Sequence, residues 1–179
     1  MLCELKNLKT ALDTIKHAMH THFLSKKISV EILDPLKEDI IAPSILLDLD
    51  QIDDGEDQGD EKIPYECTLT AYCILDANTP KLSLAIKDFA AETMQVVRRN
   101  TWNLIGANIP ENLSAQPASI KPGKRGYEAW AVTWKQTFRI GENVWDSTFP
   151  APSIVMFSDS PDIGIPHEAD YVEIGDIND

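Results

Sequence analysis

Three histidines at positions 17, 20 and 22 are the first side chains whose type and spacing suggest chemistry. Residues three apart lie on one face of a helix, so His17 and His20 could bind one metal ion. We find no carboxylate that completes a ligand set with them. Histidines in the last turn of a helix also interact favourably with the helix dipole, and this interpretation is favoured over a metal site.

A second cluster, His167-Glu168-Ala169-Asp170, has the residue types of a metal or catalytic site. It lies in an acidic segment flanked by prolines, and no second His or Cys group supplies further ligands. The serines near it, Ser153, Ser158 and Ser160, are not in a Gly-x-Ser-x-Gly turn, so no hydrolase nucleophile is indicated. We therefore predict a surface that pairs with a basic partner.

The acidic run between residues 48 and 61 suggests a calcium loop. Such a loop needs oxygen ligands at its first, third and fifth positions and a bidentate Glu at its twelfth. Counted from Asp48, the fifth position is Ile52 and the twelfth is Gly59, so the pattern does not fit. The sequence instead predicts a solvated hairpin loop over residues 53–62.

The cysteines Cys3, Cys67 and Cys73 are odd in number and lack CxxC spacing. Cys67 and Cys73 lie in one predicted strand, roughly 20 Å apart at the strand rise, which excludes a disulfide between them. We predict small buried side chains in a reduced compartment. The chain also lacks a signal-peptide layout and any apolar run near the ~20 residues that span a bilayer, so we expect a cytosolic protein that does not enter a membrane.

Composition indicates one domain, residues 1–179, with a substantial core, because 43% of the 179 residues are hydrophobic. The net charge of -13 is concentrated: the run at 48–61 and the segment 159–179 hold fifteen of the twenty-nine acids. Because this acidity repels phosphate, it argues against nucleic-acid binding through a basic patch. It would suit a surface past which DNA slides without specific binding.

The stretch from Tyr127 to Ile140 alternates with a two-residue period and predicts a long, half-buried strand. One face carries the bulky residues and is predicted to pack: Glu128, Trp130, Val132, Trp134, Gln136, Phe138 and Ile140. Its aromatic row could stack a ligand, although a core row is the commoner outcome. The other face becomes polar and basic toward its end, where Lys135 and Arg139 are candidate contacts for an acidic neighbour.

The rest of the chain predicts an α+β fold, a mixed and mostly antiparallel sheet packed by two main helices, with long loops and an extended C-terminal tail. Apolar periodicity predicts helices over residues 2–23 and from Thr79-Pro80 to about Asn103, with Thr79 as N-cap. Strands are predicted at 28–33, 44–50, 64–75 and 154–157, with a short return strand beginning at 144–145, and residues 44–50 are predicted to pair with 64–75. The proline- and glycine-rich residues 106–126, with basic Lys121, Lys124 and Arg125, are predicted as a long connection, and residues 146–179 as the extended tail.

The C-terminal third resembles the tail-terminator proteins of Mu-like bacteriophages and prophages. The resemblance covers roughly residues 120–175 and is carried by Arg125-Gly126-Tyr127 to Trp134, Gln136, Gly141-x-x-x-Trp145, Ser160-Pro161-Asp162-Ile163-Gly164 and His167-Glu168-x-Asp170-Tyr171-Val172. It implies a subunit that assembles into a ring, commonly a hexamer, ends the growth of the tail tube and supports head joining. The long acidic loop departs from that family.

The resemblance and the residues together lead to one hypothesis, a structural tail protein without cofactor, metal or catalytic residues. The partners expected are other copies of the chain, tail-tube and head–tail connector proteins, and passing DNA. It would lie in the host bacterial cytoplasm during assembly and in the virion tail afterwards. The predicted assembly contacts are Lys135, Arg139, Asp162, His167, Glu168, Asp170 and Tyr171. Another head–tail connector or a general protein-binding adaptor is the alternative, and a metal-dependent hydrolase is the third.

Overall fold

The computed structural model describes residues 3–36, 41–59, 62–119, 126–141, 154–157 and 165–176. Within these ranges the chain forms, in order, β1 (Cys3–Glu4), α1 (Leu8–Phe23), β2 (Ser29–Ile32), β3 (Ser44–Asp54), β4 (Ile63–Asp76), α2 (Leu82–Val97), β5 (Leu104–Ile105), β6 (Glu111–Ala118), β7 (Tyr127–Ile140), β8 (Ile154–Phe157) and β9 (Val172–Asp176). Contacts group the chain into two compact units, Met1–Val144 and Trp145–Asp179. No described helix is long and apolar enough to cross a bilayer.

The first unit is built on a five-stranded sheet of order β2-β3-β4-β7-β6. β2 and β3 run parallel, and the other neighbours are antiparallel. Residues 44–50 pair with β4 as predicted, and β7 pairs with β4 over its whole length, from Ile63 opposite Ile140 to Asp76 opposite Tyr127. The predicted α+β class and the mixed, mostly antiparallel sheet are confirmed.

β7 follows the predicted alternation from Val132 to Arg139, whereas near its start Ala129 and Ala131 of the predicted outer face are buried and Glu128 and Trp130 of the predicted packing face are half-buried. Val132, Trp134, Gln136 and Phe138 are buried, and the apolar members belong to one core with residues of α1 and α2. This confirms the packing face and the core interpretation of its aromatic row. On the opposite, outer face the start of the strand is buried at small residues, whereas its end, from Thr133 to Arg139, is half-buried and polar.

Both helices are shorter than predicted, because the residues that cap them lie within the predicted helical ranges. α1 begins at Leu8, where extended Asn7 accepts a hydrogen bond from the Thr10 amide at 2.8 Å. The preceding residues form β1, which pairs with β5. α2 begins after Lys81, which has a left-handed backbone, so Thr79 is not the N-cap, and it ends at Val97 rather than near Asn103.

The region predicted as a connection contains the strand β6, so that interpretation was wrong for Glu111–Ala118. Pro110 and Pro117 argued against a strand at the level of sequence, because proline lacks the backbone N–H that donates in a sheet. Among the described strands β6 has β7 on one side only, and an edge strand tolerates such residues. The acidic loop is also shorter than predicted, because Asp53 and Asp54 belong to β3.

The second unit contains an antiparallel pair of strands, β8 and β9, with a 3-10 helix at Ile165–Asp170 between them in sequence. β8 occupies the predicted range 154–157, whereas β9 was not predicted. The basic residues Lys121, Lys124 and Arg125 and the predicted return strand from Val144 lie outside the described residues.

Candidate assembly surfaces

Lys135, a predicted contact for a neighbour, is already paired within the chain. Its Nζ lies 2.6 Å from Glu66 Oε1 on the adjacent strand β4, and each side chain is 39% exposed. The hydrogen bond and the charge of Glu66 raise the pKa of Lys135. A partner would therefore meet an ion pair here rather than a lone cation.

Arg139 connects the end of β7 to two other segments. Its Nη1 donates to Gln58 Oε1 at 2.7 Å in the acidic loop, and its amide donates to the Gly106 carbonyl at 2.8 Å. Gly106 has a φ of +94°, and a Cβ there would lie 2.7 Å from the Arg139 carbonyl oxygen. The approach of the two backbones therefore depends on glycine at this position.

The end of the β3–β4 hairpin combines acidity with exposed apolar side chains. Ile52 and Ile63 are 49% and 54% exposed, and the acids Asp53, Asp54, Glu56 and Asp57 lie in the same hairpin. The Gly55 amide donates to the Pro64 carbonyl at 3.0 Å, and a Cβ on Gly55 would come within 2.9 Å of Pro64 Cβ. The hairpin end thus carries exposed isoleucines and acidic residues in one segment, and exposed apolar side chains of this kind are available to a partner.

A polar ladder crosses β3, β4 and β7 on the outer face. The Thr70 hydroxyl donates to an Asp50 carboxylate oxygen and lies 3.0 Å from the Thr133 hydroxyl. Burial, and then the charge of Asp50, raises the pKa of Asp48, while the Leu49 amide opposes this shift. Burial and the same two aspartates also raise the pKa of Tyr72. Sequence reasoning placed Asp48 and Asp50 in an acidic run, but their partners could not be named without the strand register.

The remaining predicted contacts belong to the second unit. His167, Glu168 and Asp170 lie in the 3-10 helix and Tyr171 follows it, whereas Asp162 lies outside the described residues. His167 and Tyr171 are partly buried and both make contacts. The two strand cations and these four residues thus fall into separate units of the chain.

The histidines of α1 have two different surroundings. His22 Nε2 lies 3.3 Å from Glu92 Oε1, and Lys26 Nζ lies 2.5 Å from the other oxygen of that carboxylate. Burial would raise the pKa of Glu92, but the hydrogen bonds from Lys26 and His22 outweigh it and lower that pKa. His17 and His20 line a groove of about 760 Å³ together with Asp13 and Glu31. The proximity of these carboxylates to the two histidines was not predicted from the sequence. Among the described side chains, however, no group of three or more has the geometry of a metal site.

Cys67 and Cys73 are free thiols buried on the inner face of β4, as predicted. Burial raises the pKa of Cys67 to about 11 and that of Cys73 to about 12. Because the thiolate is the reactive form, both side chains are inert at neutral pH.

Gln136, which the sequence places on the packing face of β7, has buried hydrogen-bond partners that sequence reasoning did not identify. Its Oε1 accepts from Trp102 Nε1 at 2.9 Å and from Trp134 Nε1 at 3.3 Å. Its Nε2 donates to the carbonyls of Asn100 at 3.1 Å and Asn108 at 2.7 Å. A glutamine within an aromatic row was the available signal, because a buried amide needs partners.

Neither the known protein-family models nor the curated proteins include a match for this chain.

Proposed function

We propose that the chain is a structural subunit of a phage or prophage tail, a ring-forming tail terminator that caps the tail tube and supports head joining. The resemblance of residues 120–175 to Mu-like tail terminators motivates this proposal. Its partners would be copies of itself, tail-tube protein and head–tail connector protein, with DNA passing without specific binding.

The observation that carries the proposal is the asymmetry of the central sheet. In the described ranges its two edges are different strands, β2 on one side and β6 on the other. A closed ring is built from heterologous contacts, in which two different surfaces of one subunit meet. Two unlike edges, with an acidic hairpin end that exposes Ile52 and Ile63, supply unlike surfaces for such contacts.

The acidity of the chain supports the role in DNA passage. The net charge is -13, and β3 with its hairpin loop contributes aspartates at positions 48, 50, 53, 54 and 57. A wall of this sign repels the phosphate backbone, so DNA would move past it without being held.

Light scattering after size-exclusion chromatography, followed by negative-stain imaging, tests the proposal. We expect a ring of several subunits, and capture of tail-tube protein from a mixture of tail components. A strict monomer at high concentration that neither forms rings nor binds tail-tube protein would contradict it.

A head–tail connector or protein-binding adaptor is the second candidate, and the exposed isoleucines of the hairpin end favour it. A pull-down distinguishes the two functions. Capture of a connector or capsid component by a monomeric subunit would favour the adaptor, whereas ring formation with capture of tube protein favours the terminator.

A further inference from the structure

The groove between α2 and β6 is a second surface built for recognition. It has a volume of about 560 Å³, and its apolar floor is formed by Met94, Ile109, Pro110 and Leu113. Ile109 is 55% exposed and lies beside the other apolar residues of the groove, so the groove offers an apolar surface to an incoming segment.

Two arginines adjacent in sequence also line this groove. Arg98 and Arg99 are exposed, and within the described part of the chain neither forms an ion pair. A groove lined by apolar side chains and two cations favours a ligand that combines apolar and acidic side chains.

The backbone that carries these arginines is held in place by the buried Gln136. Arg99 has a left-handed φ of 59°, and the next residue, Asn100, binds the Val96 carbonyl at 3.0 Å and the Trp102 amide at 2.8 Å through its side chain. The Asn100 carbonyl in turn accepts from Gln136. Because the backbone of this turn is fixed before any ligand arrives, binding there orders the arginine side chains but not the backbone.

We propose that the groove binds the acidic C-terminal segment 168–176 of a second copy of this chain. The inference rests on the proposed ring assembly. That segment, Glu-Ala-Asp-Tyr-Val-Glu-Ile-Gly-Asp, combines four acidic residues with apolar ones, and residues 159–179 contain no Lys or Arg. Its charge and apolar content therefore match the arginines and the floor of the groove.

Strand pairing makes a smaller contribution to the same contact. β9 lies in this segment and has only β8 beside it among the described strands, while β6 has only β7. Two such edges can pair across subunits. Pro117 and the register shift between Glu111 and Ser114 shorten the usable edge of β6, so the side chains of the groove provide most of the selectivity.

A charge exchange between the two surfaces tests the proposal. One variant carries Arg98→Glu and Arg99→Glu, and the other carries Glu173→Lys and Asp176→Lys in the full chain. We expect each variant alone to assemble at least about ten-fold more weakly than the wild type in light scattering, because like charges then meet. Mixing the two variants should restore assembly, since each groove then meets a complementary segment.

Lys81→Glu with Lys87→Glu is the matched control. It makes the same change of charge at the N-terminal end of α2, whereas Arg98 and Arg99 follow its last residue, and Lys87 lies roughly 16 Å along the helix axis from Arg98 at the α-helical rise. Both control lysines are exposed, so assembly should match the wild type. Wild-type assembly by the groove variant, or failure of the mixture to recover, would overturn the proposal; circular dichroism melting confirms that each variant is folded.

A peptide titration separates this inference from the proposed ring. A fluorescent peptide of residues 168–176 is titrated into the Glu173→Lys/Asp176→Lys variant, whose own segment no longer competes for the groove. We expect binding that is lost when Arg98→Glu and Arg99→Glu are added, and a peptide of scrambled sequence should bind weakly. No binding overturns the groove assignment even if the wild type forms rings. Binding together with a monomeric wild type overturns the second copy as occupant and the ring proposal, while leaving the groove itself in place.

Discussion

At the scale of single residues, a few buried polar side chains make several hydrogen bonds each. Gln136 satisfies two tryptophan donors and two backbone carbonyls at once, so this side chain, together with the backbone hydrogen bonds of Gly106 and Asn108, links the segment from Asn100 to Asn108 to β7. Buried groups of this kind contribute little net energy when paired and cost much when left unpaired.

Gln136→Leu should therefore lower the free energy of unfolding by about 3 kcal/mol, because it strands the Trp102 indole and two carbonyls without partners. Urea denaturation followed by tryptophan fluorescence measures the change. Thr137→Val, the neighbouring position on the half-buried outer face, should stay within about 0.5 kcal/mol of the wild type. Equal effects of the two substitutions would show that the amide network contributes nothing.

The buried thiol of Cys73 predicts a loss of stability in alkali. Its pKa in the folded protein is raised from 9.0 to about 12, so between these values the unfolded chain releases a proton that the folded chain keeps. Stability therefore falls as pH rises through this window. Cys73→Ala should reduce the loss between pH 8 and pH 10 by about 1 kcal/mol, measured by urea denaturation at each pH. The same pH dependence in both proteins would contradict the assignment.

At the scale of elements, the close approach between Gly106 and β7 fixes how the segment before β6 returns to the sheet. Gly106→Ala adds a methyl group 2.7 Å from the Arg139 carbonyl at a positive φ, so we expect a destabilisation of about 2 to 4 kcal/mol. Gly59 also has a positive φ, +72°, but nothing lies within 4 Å of its added Cβ. Gly59→Ala should cost only about 1 kcal/mol. Thermal denaturation compares the two variants, and the difference between them measures the steric cost of the close approach at Gly106. Equal melting temperatures would show that this cost is absent.

Elements with a strong repeating pattern were predictable, and those defined by position in the sheet were not. The alternation of residues in β7 and β4 predicts strands, and the four-residue spacing of the buried residues of α1 predicts a helix. β6 carries one proline, Pro117, which is acceptable because the strand lies at an edge of the described sheet, and its place there follows from β7 rather than from its own residues. The partners of Gln136 and of Asp50 depend in the same way on register, which no local pattern records.

At the scale of the whole molecule, one face of the sheet is closed by two helices, and assembly in the proposed ring would use the edges and the hairpin end. Of the two cations predicted to meet a neighbour, Lys135 is paired with Glu66 and Arg139 with Gln58. The exposed isoleucines and the groove beside α2 are therefore better placed to supply the energy of association, because apolar anchors dominate interfaces.

Ile63→Glu should weaken self-association by about ten-fold or more and leave the fold intact, because Ile63 is 54% exposed at the hairpin end. Leu84→Glu introduces the same charge at a side chain that is 58% exposed on α2, and it should leave assembly unchanged. Sedimentation velocity across a concentration series compares the two. Equal weakening would show that added charge, not the position, is responsible.

Arg139→Glu tests whether the outer face of β7 takes part in assembly. Since the carbonyl and amide contacts of residue 139 come from its backbone, the fold should survive with a loss of about 1 kcal/mol, while assembly weakens through repulsion at the acidic hairpin. Circular dichroism and light scattering read the two effects separately. A variant that unfolds would show that the arginine side chain belongs to the packing of the subunit.

The full-length pairing of β4 with β7 has a consequence for synthesis on the ribosome. β4 has been translated long before its partner, because residues 77–126 must be made between them, and the last pair joins Ile63 to Ile140. Contacts so distant in sequence close slowly, since the chain entropy of a long loop must be overcome first. Until residue 140 has left the exit tunnel, β4 lacks its full partner strand β7, and its apolar side chains cannot pack in a completed sheet. A nascent chain is therefore open to premature association at this strand, and a chaperone that holds it would act while the residues after 140 are still inside the exit tunnel.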